Sequence, residues 1–449
     1  MKTRIAGGNA TPLKTGDLAI IGMLFGLFTI LYLGLHPLPA IAEAFPPASP
    51  YLGEIRRDAS GKLVVQPAKA AADDPAGLPP SGAARILRVG PQLAVRTIAA
   101  AAALARDGDI IEIEAGDYMG AAAVWTQSKL TLRGVGGRPR LIANGASAEN
   151  KAIWVIRGGD ITVENIEFTG ARVPDKNGAG IRFERGRLIV RNCHFHDNEN
   201  GILTGGNADA LDIENSEFGH NGAGDGYSHN LYVGAIKKLR VTGSYFHHAR
   251  VGHLIKSRAA ENHILYNRLT DESGGRASYE LEFPNGGIAY VIGNIIEQGK
   301  ATENQNIVSF GAEGYKHPAN ELYLINNTLI DRRLESGYFL AVKPGFHIVK
   351  AYNNLLLGRR PLNTGIDGEF INNPNVDAAS FVLADRQDYR IKRESPLHRS
   401  YRSPGVAVSG IDLAPTREYV HPATTRPLTT APTLPGARQT LQPDKTSGG

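Results

Sequence analysis

A single cysteine in 449 residues, Cys193, excludes an intrachain disulfide, so whatever holds this chain together is not a covalent staple. Basic residues exceed acidic ones only by 49 to 44, and the excess is scattered. No block of Lys and Arg is available to track a phosphate backbone, which makes nucleic acid a poor partner. An acidic glycan suits the mild basic bias as well as a plain solvated surface does. Also lacking are a Gly-rich phosphate loop, a zinc-type cysteine pair and a defensible Ser, His, Asp order. Beyond residue 35 no apolar run is long enough to span a membrane.

What the chain has instead is a repeat. Eight times between positions 161 and 357 it rewrites one phrase: two alternating apolar residues, an Asn, then another apolar run. The clearest copies contain Val163, Asn165 and Phe168; Val190, Asn192 and Phe195; Ile213, Asn215 and Phe218. A fourth has Gly243 in the Asn position, and looser copies centre on Asn267, Asn294, Asn327 and Asn354. Spacings run from 23 to 28 residues, with one of 33. Period-two alternation inside each copy suits short strands with one buried face. A unit of this length holds two or three strands and cannot bury its own apolar side, so neighbours must stack into a continuous core. Asn recurring at a bend can then bond the next turn. The expected fold is an all-β, right-handed, single-stranded parallel β-helix. A leucine-rich solenoid, the main competitor, would demand leucines at fixed offsets, whereas the inward positions here mix Ile, Val, Leu and Phe.

The start of the repeat region carries an Ala-rich stretch at 97–106, which predicts a short helix closing the end of the solenoid. It stops at Asp107 and Gly108; Ile110 to Ile113 and then Gly116, Asp117 and Tyr118 follow. This order resembles the opening coil of the pectate-lyase-like superfamily. Asn372 to Pro374, Asp388 to Ile391, and Ser395 with Pro396 are similar to the closing coils of secreted β-helix enzymes. The resemblance spans roughly 85–400 and implies the fold, which carries lyases, hydrolases, epimerases and binding proteins alike.

Residues 18–35 are apolar and uncharged, preceded by Lys2, Arg4 and Lys14, with small residues Ala40, Ala42 and Ala44 just beyond. They read as a cleaved signal peptide in preference to an uncleaved anchor. Either choice exports the body, to the periplasm or beyond, or tethers it to the inner membrane. The expected organisation is a leader at 1–44, a linker at 45–84, the β-helix at 85–402 and a loosely packed Pro/Thr-rich tail at 403–449, in a monomer. Cys193, inside a repeat copy, reads as a packed thiol.

Three successive copies between 227 and 287 depart from the filler pattern. One holds His229, Asn230 and Tyr232; the next His253, Lys256 and Arg258; the third Tyr279, Glu280, Glu282 and Asn285. With Leu231, Val233, Ile255, Ser257, Leu281 and Phe283 inward, alternation predicts Asn230 and Tyr232, Lys256 and Arg258, Glu280 and Glu282 outward on adjacent rungs. Lys343 falls on the same face farther along. Cations that neutralise a sugar carboxylate, with a base and an acid nearby, are what β-elimination on a uronate polymer requires. His229, His253, Tyr232 and Tyr279 add proton-transfer groups to Lys256 and Arg258. Here the segment resembles β-helix lyases acting on alginate and dermatan-type polymers. That likeness implies Lys256 or Arg258 as base, and Asn230 with Glu280 and Glu282 as a Ca²⁺ site, although the acidic pair lies one coil after the basic pair. The favoured function is an exported lyase of an acidic polysaccharide. The alternatives are a glycoside hydrolase or C5-epimerase on a similar polymer, and a non-catalytic glycan-binding surface protein. The pairs His194/His196 and His247/His248 have metal-type spacing but no evident third ligand, and read as turn or surface histidines.

Overall fold

The computed structural model describes residues 55–57, 63–65, 84–335 and 337–441. The apolar segment 18–35 and most of the 45–84 linker lie outside the described residues. Among the described ones no helix is long and apolar enough to cross a membrane. The chain divides into two units, Met1–Leu78 and Pro79–Gly449. In the first, Ile55–Arg57 pairs antiparallel with Leu63–Val65.

In the second unit the backbone visits three sheets in turn, of 12, 11 and 9 strands, and returns to each one coil later. Equivalent strands therefore pair in parallel: Asp160–Glu164 lies between Lys129–Val135 and Gly186–Arg191. This is the parallel β-helix the repeat predicts. Alternation places Ile161 and Val163, Leu188 and Val190, Leu211 and Ile213 in one continuous interior. Phe168, Phe195, Phe218 and Phe246 stack there face to face, at 4.9, 4.7 and 4.6 Å between centroids. Such contacts add about 0.5–1.5 kcal/mol each beyond simple burial. Helix Ile98–Leu104 starts at Thr97, whose side chain accepts the Ala100 amide, and it buries Ile98 and Ala101 against the core. Cys193 is buried, and that burial pushes its thiol up to about 12, as a packed rather than a nucleophilic group.

The Asn phrase resolves into two adjacent columns. Asn165, Asn192, Asn215, Gly243, Tyr266, Gly293, Asn326, Asn353 and Asn372 all take the left-handed conformation, with φ between 49° and 69°. Gly243 fits the first column because that conformation favours Gly and Asn over other residues. One residue later, the buried Asn267, Asn294, Asn327 and Asn354 and the half-buried Asn373 form an amide ladder, in which each Nδ2 donates to the next Oδ1 at 2.7–3.0 Å. Ser244 and Ser216 continue that ladder backwards toward Cys193 through backbone amides.

The C-terminal stretch departs from the loose packing expected of it. Residues 403–441 include the hairpin of Arg417–Val420 and Thr424–Pro427 and bury Leu413, Tyr419 and Leu434. Composition misleads here because docking relies on few apolar side chains. Asn326, Asn353 and Asn372 donate to backbone carbonyls of Leu434, Arg402 and Ser400. The outward phenols Tyr266, Tyr290 and Tyr323 bond Thr416, Ser409 and Val408.

Candidate active site on the nine-stranded sheet

Three-residue strands Leu231–Val233, Ile255–Ser257 and Leu281–Phe283 occupy successive rungs of the nine-stranded sheet. Register aligns their middle residues, Tyr232, Lys256 and Glu282, and carries the column on to Ser309. Inward neighbours Leu231, Val233, Ile255, Leu281 and Phe283 are fully buried and fix this outward column. Arg258 lies just past its strand, and the matching place three coils on is held by the exposed Lys343.

Lys256 Nζ lies 3.2 Å from a carboxylate oxygen of Glu282 and 3.2 Å from one of Glu313. Arg258 grips the other side of Glu313, with Nη1 and Nη2 at 2.6 and 3.0 Å. The same guanidinium donates to Tyr232 Oη at 3.1 Å and to Asn285 Oδ1 at 2.7 Å. The Arg258 bond holds the Glu313 carboxyl down at about 2. Its reciprocal, the bond from Glu313, raises Arg258 further, so Arg258 is a permanent cation. That removes it from the base role the likeness implies and leaves it as a carboxylate clamp.

Behind Lys256 lie two buried histidines. His253 Nε2 meets Glu282 at 2.8 Å, and its backbone amide donates to His229 Nδ1 at 2.9 Å. The His229 and His253 rings pack edge to face at 4.5 Å, while Tyr232 and Tyr279 flank them at 5.4 and 5.2 Å. Burial lowers both imidazoles, so they are neutral at pH 7. Burial alone would raise Glu282; the bond from His253 and the charge on Lys256 outweigh it and keep this carboxyl ionised. The Tyr279 phenol is raised by burial and by Glu282, and stays protonated through neutral pH. It borders a cleft of about 360 Å³ that also touches Asn306, Ser309, Tyr338 and Lys343.

Two sequence-based placements are overturned. Asn230 is wholly buried: its Oδ1 accepts from Asn221 at 2.9 Å, and its Nδ2 donates to the His247 carbonyl at 2.8 Å. It ends a second amide ladder, through Asn221 and Asn198, instead of facing the groove. Glu280 is also fully buried, accepting from Thr302 at 3.1 Å and Gln298 at 3.2 Å. Burial and the nearby Asp271 raise Glu280 well above the carboxylate range, and burial brings Asp271 itself to about 7. Both Asn230 and Glu280 sit one step before a three-residue strand, where the chain is still turning and alternation no longer sets direction. The expected Ca²⁺ donor set does not fit: Asn230, Glu280 and Glu282 do not converge, and Glu282 is engaged by His253 and Lys256.

Sequence reasoning missed Glu313. It comes from the ten-residue connection between Asn306–Phe310 and Glu321–Ile325, which lies in the 33-residue interval of the repeat. That longer interval was the available signal.

A family model described as a right-handed β-helix region matches residues 142–294. Among solved structures, pectate lyase Pel9A is similar with a TM-score of 0.46 and 16% identity, over 75% of this chain and 96% of that one. PL6 family alginate lyase AlyGC gives a TM-score of 0.34 and 15% identity, over 76% of this chain and 48% of that one. No curated protein matches this sequence. The chemistry of this chain rests on its own residues. By fold, this chain is a right-handed parallel β-helix protein.

Proposed function

We propose that the nine-stranded sheet binds a uronate-containing polysaccharide and cleaves it by β-elimination. One observation carries this reading: a carboxylate, that of Glu313, is clamped between Lys256 and both arms of Arg258 on the outer face of the groove. A sugar carboxylate offers the same group and can take the place of Glu313 without changing the charge balance.

Held by the permanent cation Arg258, the sugar carboxylate loses its charge advantage and the neighbouring C5 proton becomes more acidic. Lys256 accepts that proton as the neutral amine, having first released its own proton to solvent, with Glu282 and His253 fixing its side chain from behind. As the C5–H bond breaks, its electron pair forms the C4=C5 double bond and the C4–O bond opens. Tyr279, protonated at neutral pH, supplies a proton to the leaving oxygen. Tyr232 and Asn285 hold Arg258 in its clamp geometry, and Lys343 is suited to a second acidic sugar along the polymer. A large substrate agrees with an exported body, led by the 18–35 segment either as a cleaved signal or as an anchor.

The test is incubation of the purified protein with a panel of acidic glycans. Ultraviolet absorbance from unsaturated uronate ends supports the lyase. New reducing ends without absorbance would indicate a hydrolase, and C5 inversion without cleavage an epimerase. Binding without turnover would leave a glycan-binding protein.

A further inference from the structure

The eleven-stranded sheet carries a different cluster. His220 follows strand Glu217–Gly219, and His248 follows Tyr245–His247, the equivalent strand one coil later. We propose that His220, His247 and His248 bind a divalent transition-metal ion that ties these two coils together.

One ring nitrogen from each of the three lies within 4.8 Å of the other two. The His247 and His248 Nδ1 atoms approach to 2.7 Å, and the His220 ring stacks on His248 at 4.5 Å. In the metal-free protein one of these nitrogens donates its N–H to the other, and with that proton displaced both lone pairs face the same point. Glu217 decides what His247 presents. Its carboxylate lies 3.1 Å from His247 Nε2, and with Nε2–H donating to that oxygen Nδ1 is left with a lone pair aimed at the cluster. A carboxylate behind a histidine is the usual outer-shell arrangement of a metal-bound imidazole.

Gly219 makes the arrangement possible. A Cβ there would fall 2.1 Å from the His247 ring, so the ring occupies the space a side chain would fill. His220 and His248 both take the left-handed conformation, with φ of 55° and 45°, which brings their rings around to the same side. Three imidazoles favour Zn²⁺, Cu²⁺ or Ni²⁺ over Ca²⁺ or Mg²⁺. The third ligand was invisible in sequence because it is 27 residues upstream of His247. It becomes a neighbour only when coils stack.

The test is Zn²⁺ binding to the chelator-stripped full chain by calorimetry, with Co²⁺ as a spectroscopic probe. About one equivalent should bind at this cluster, with a visible Co²⁺ spectrum typical of nitrogen ligands and a raised melting temperature. His220→Asn and His248→Asn suit the left-handed turn and should preserve folding, yet each should weaken Zn²⁺ by roughly 100-fold. Glu217→Gln should weaken it about 10- to 100-fold. Glu167→Gln reports on the adjacent Glu167, His194 and His196 group and should leave this affinity unchanged. Failure of the wild-type chain to bind Zn²⁺ would overturn the proposal. So would undiminished binding in the folded His220→Asn/His248→Asn double variant, or loss of binding in Glu167→Gln alone.

Discussion

On the twelve-stranded sheet, Glu164, Arg191 and Glu214 follow one another coil by coil, and Arg240 reaches Glu214 from a neighbouring column. These side chains keep between 28 and 44% of their surface in solvent. On the nine-stranded sheet the charges are fewer, but Lys256, Glu282 and His253 keep only 14, 5 and 7%. The first group forms a regular ladder in water; the second converges under a loop. Charge density alone therefore does not mark a site on this scaffold. Burial and convergence do, because an exposed pair contributes about 0–1 kcal/mol while a buried pair cannot lose one member cheaply.

The contrast can be broken most directly through activity. Lys256→Ala and Arg258→Ala should each lower glycan turnover by about 10²- to 10⁴-fold with the circular dichroism spectrum unchanged. Full activity in both would return this patch to the status of the exposed ladder.

Stability sharpens the same contrast. Glu282→Ala strands Lys256 and His253 and should cost about 3–5 kcal/mol in urea unfolding. Glu214→Ala on the exposed ladder should cost less than about 1 kcal/mol. Equal costs would contradict the distinction.

The buried carboxyls behind the sheet add a pH dependence. Folded Asp271 keeps its proton until about 7, whereas the unfolded chain gives it up near 4. The folded state thus binds more protons between these values, and the stability this carboxyl contributes at low pH is lost as pH rises through about 7. Asp271→Asn does not titrate, so its stability relative to wild type should increase between about pH 4 and 7 by on the order of a few kcal/mol. Thermal melts of both proteins across that range would show the widening gap; a constant difference would count against a raised Asp271.

The smallest effect concerns the clamped loop. Glu313→Ala frees Lys256 and Arg258 and should tighten binding of an acidic glycan by several-fold, measured as Kd. Weaker binding would mean that Glu313 supports the cations in the bound state instead of yielding to the ligand.

The fold was legible because alternation and a recurrent Asn are both local signals, and stacking follows once one coil cannot bury itself. Tyr232, Lys256 and Glu282 were legible for the same reason, as centres of strands whose parity their apolar neighbours fix. Asn230 and Glu280 were not, since strands of three residues give parity no reach beyond their ends. The Asn phrase also merged two columns one residue apart, which only backbone conformation separates. The tail at 403–441 hid its docking in polar contacts, such as the Leu434 carbonyl on Asn326 and the Val408 amide on Tyr323, which no hydropathy pattern records.

The ten-residue connection that carries Glu313 leaves the ladders on either side undisturbed: Leu281–Phe283 pairs with Asn306–Phe310, and Ile288–Ile292 with Glu321–Ile325, in continuous register. Inheritance can therefore act on the two separately. Lengthening, shortening or exchanging this one connection would change the charge held against Lys256 and Arg258 while every coil beneath it stays in place, so related chains should diverge first in the length of this interval.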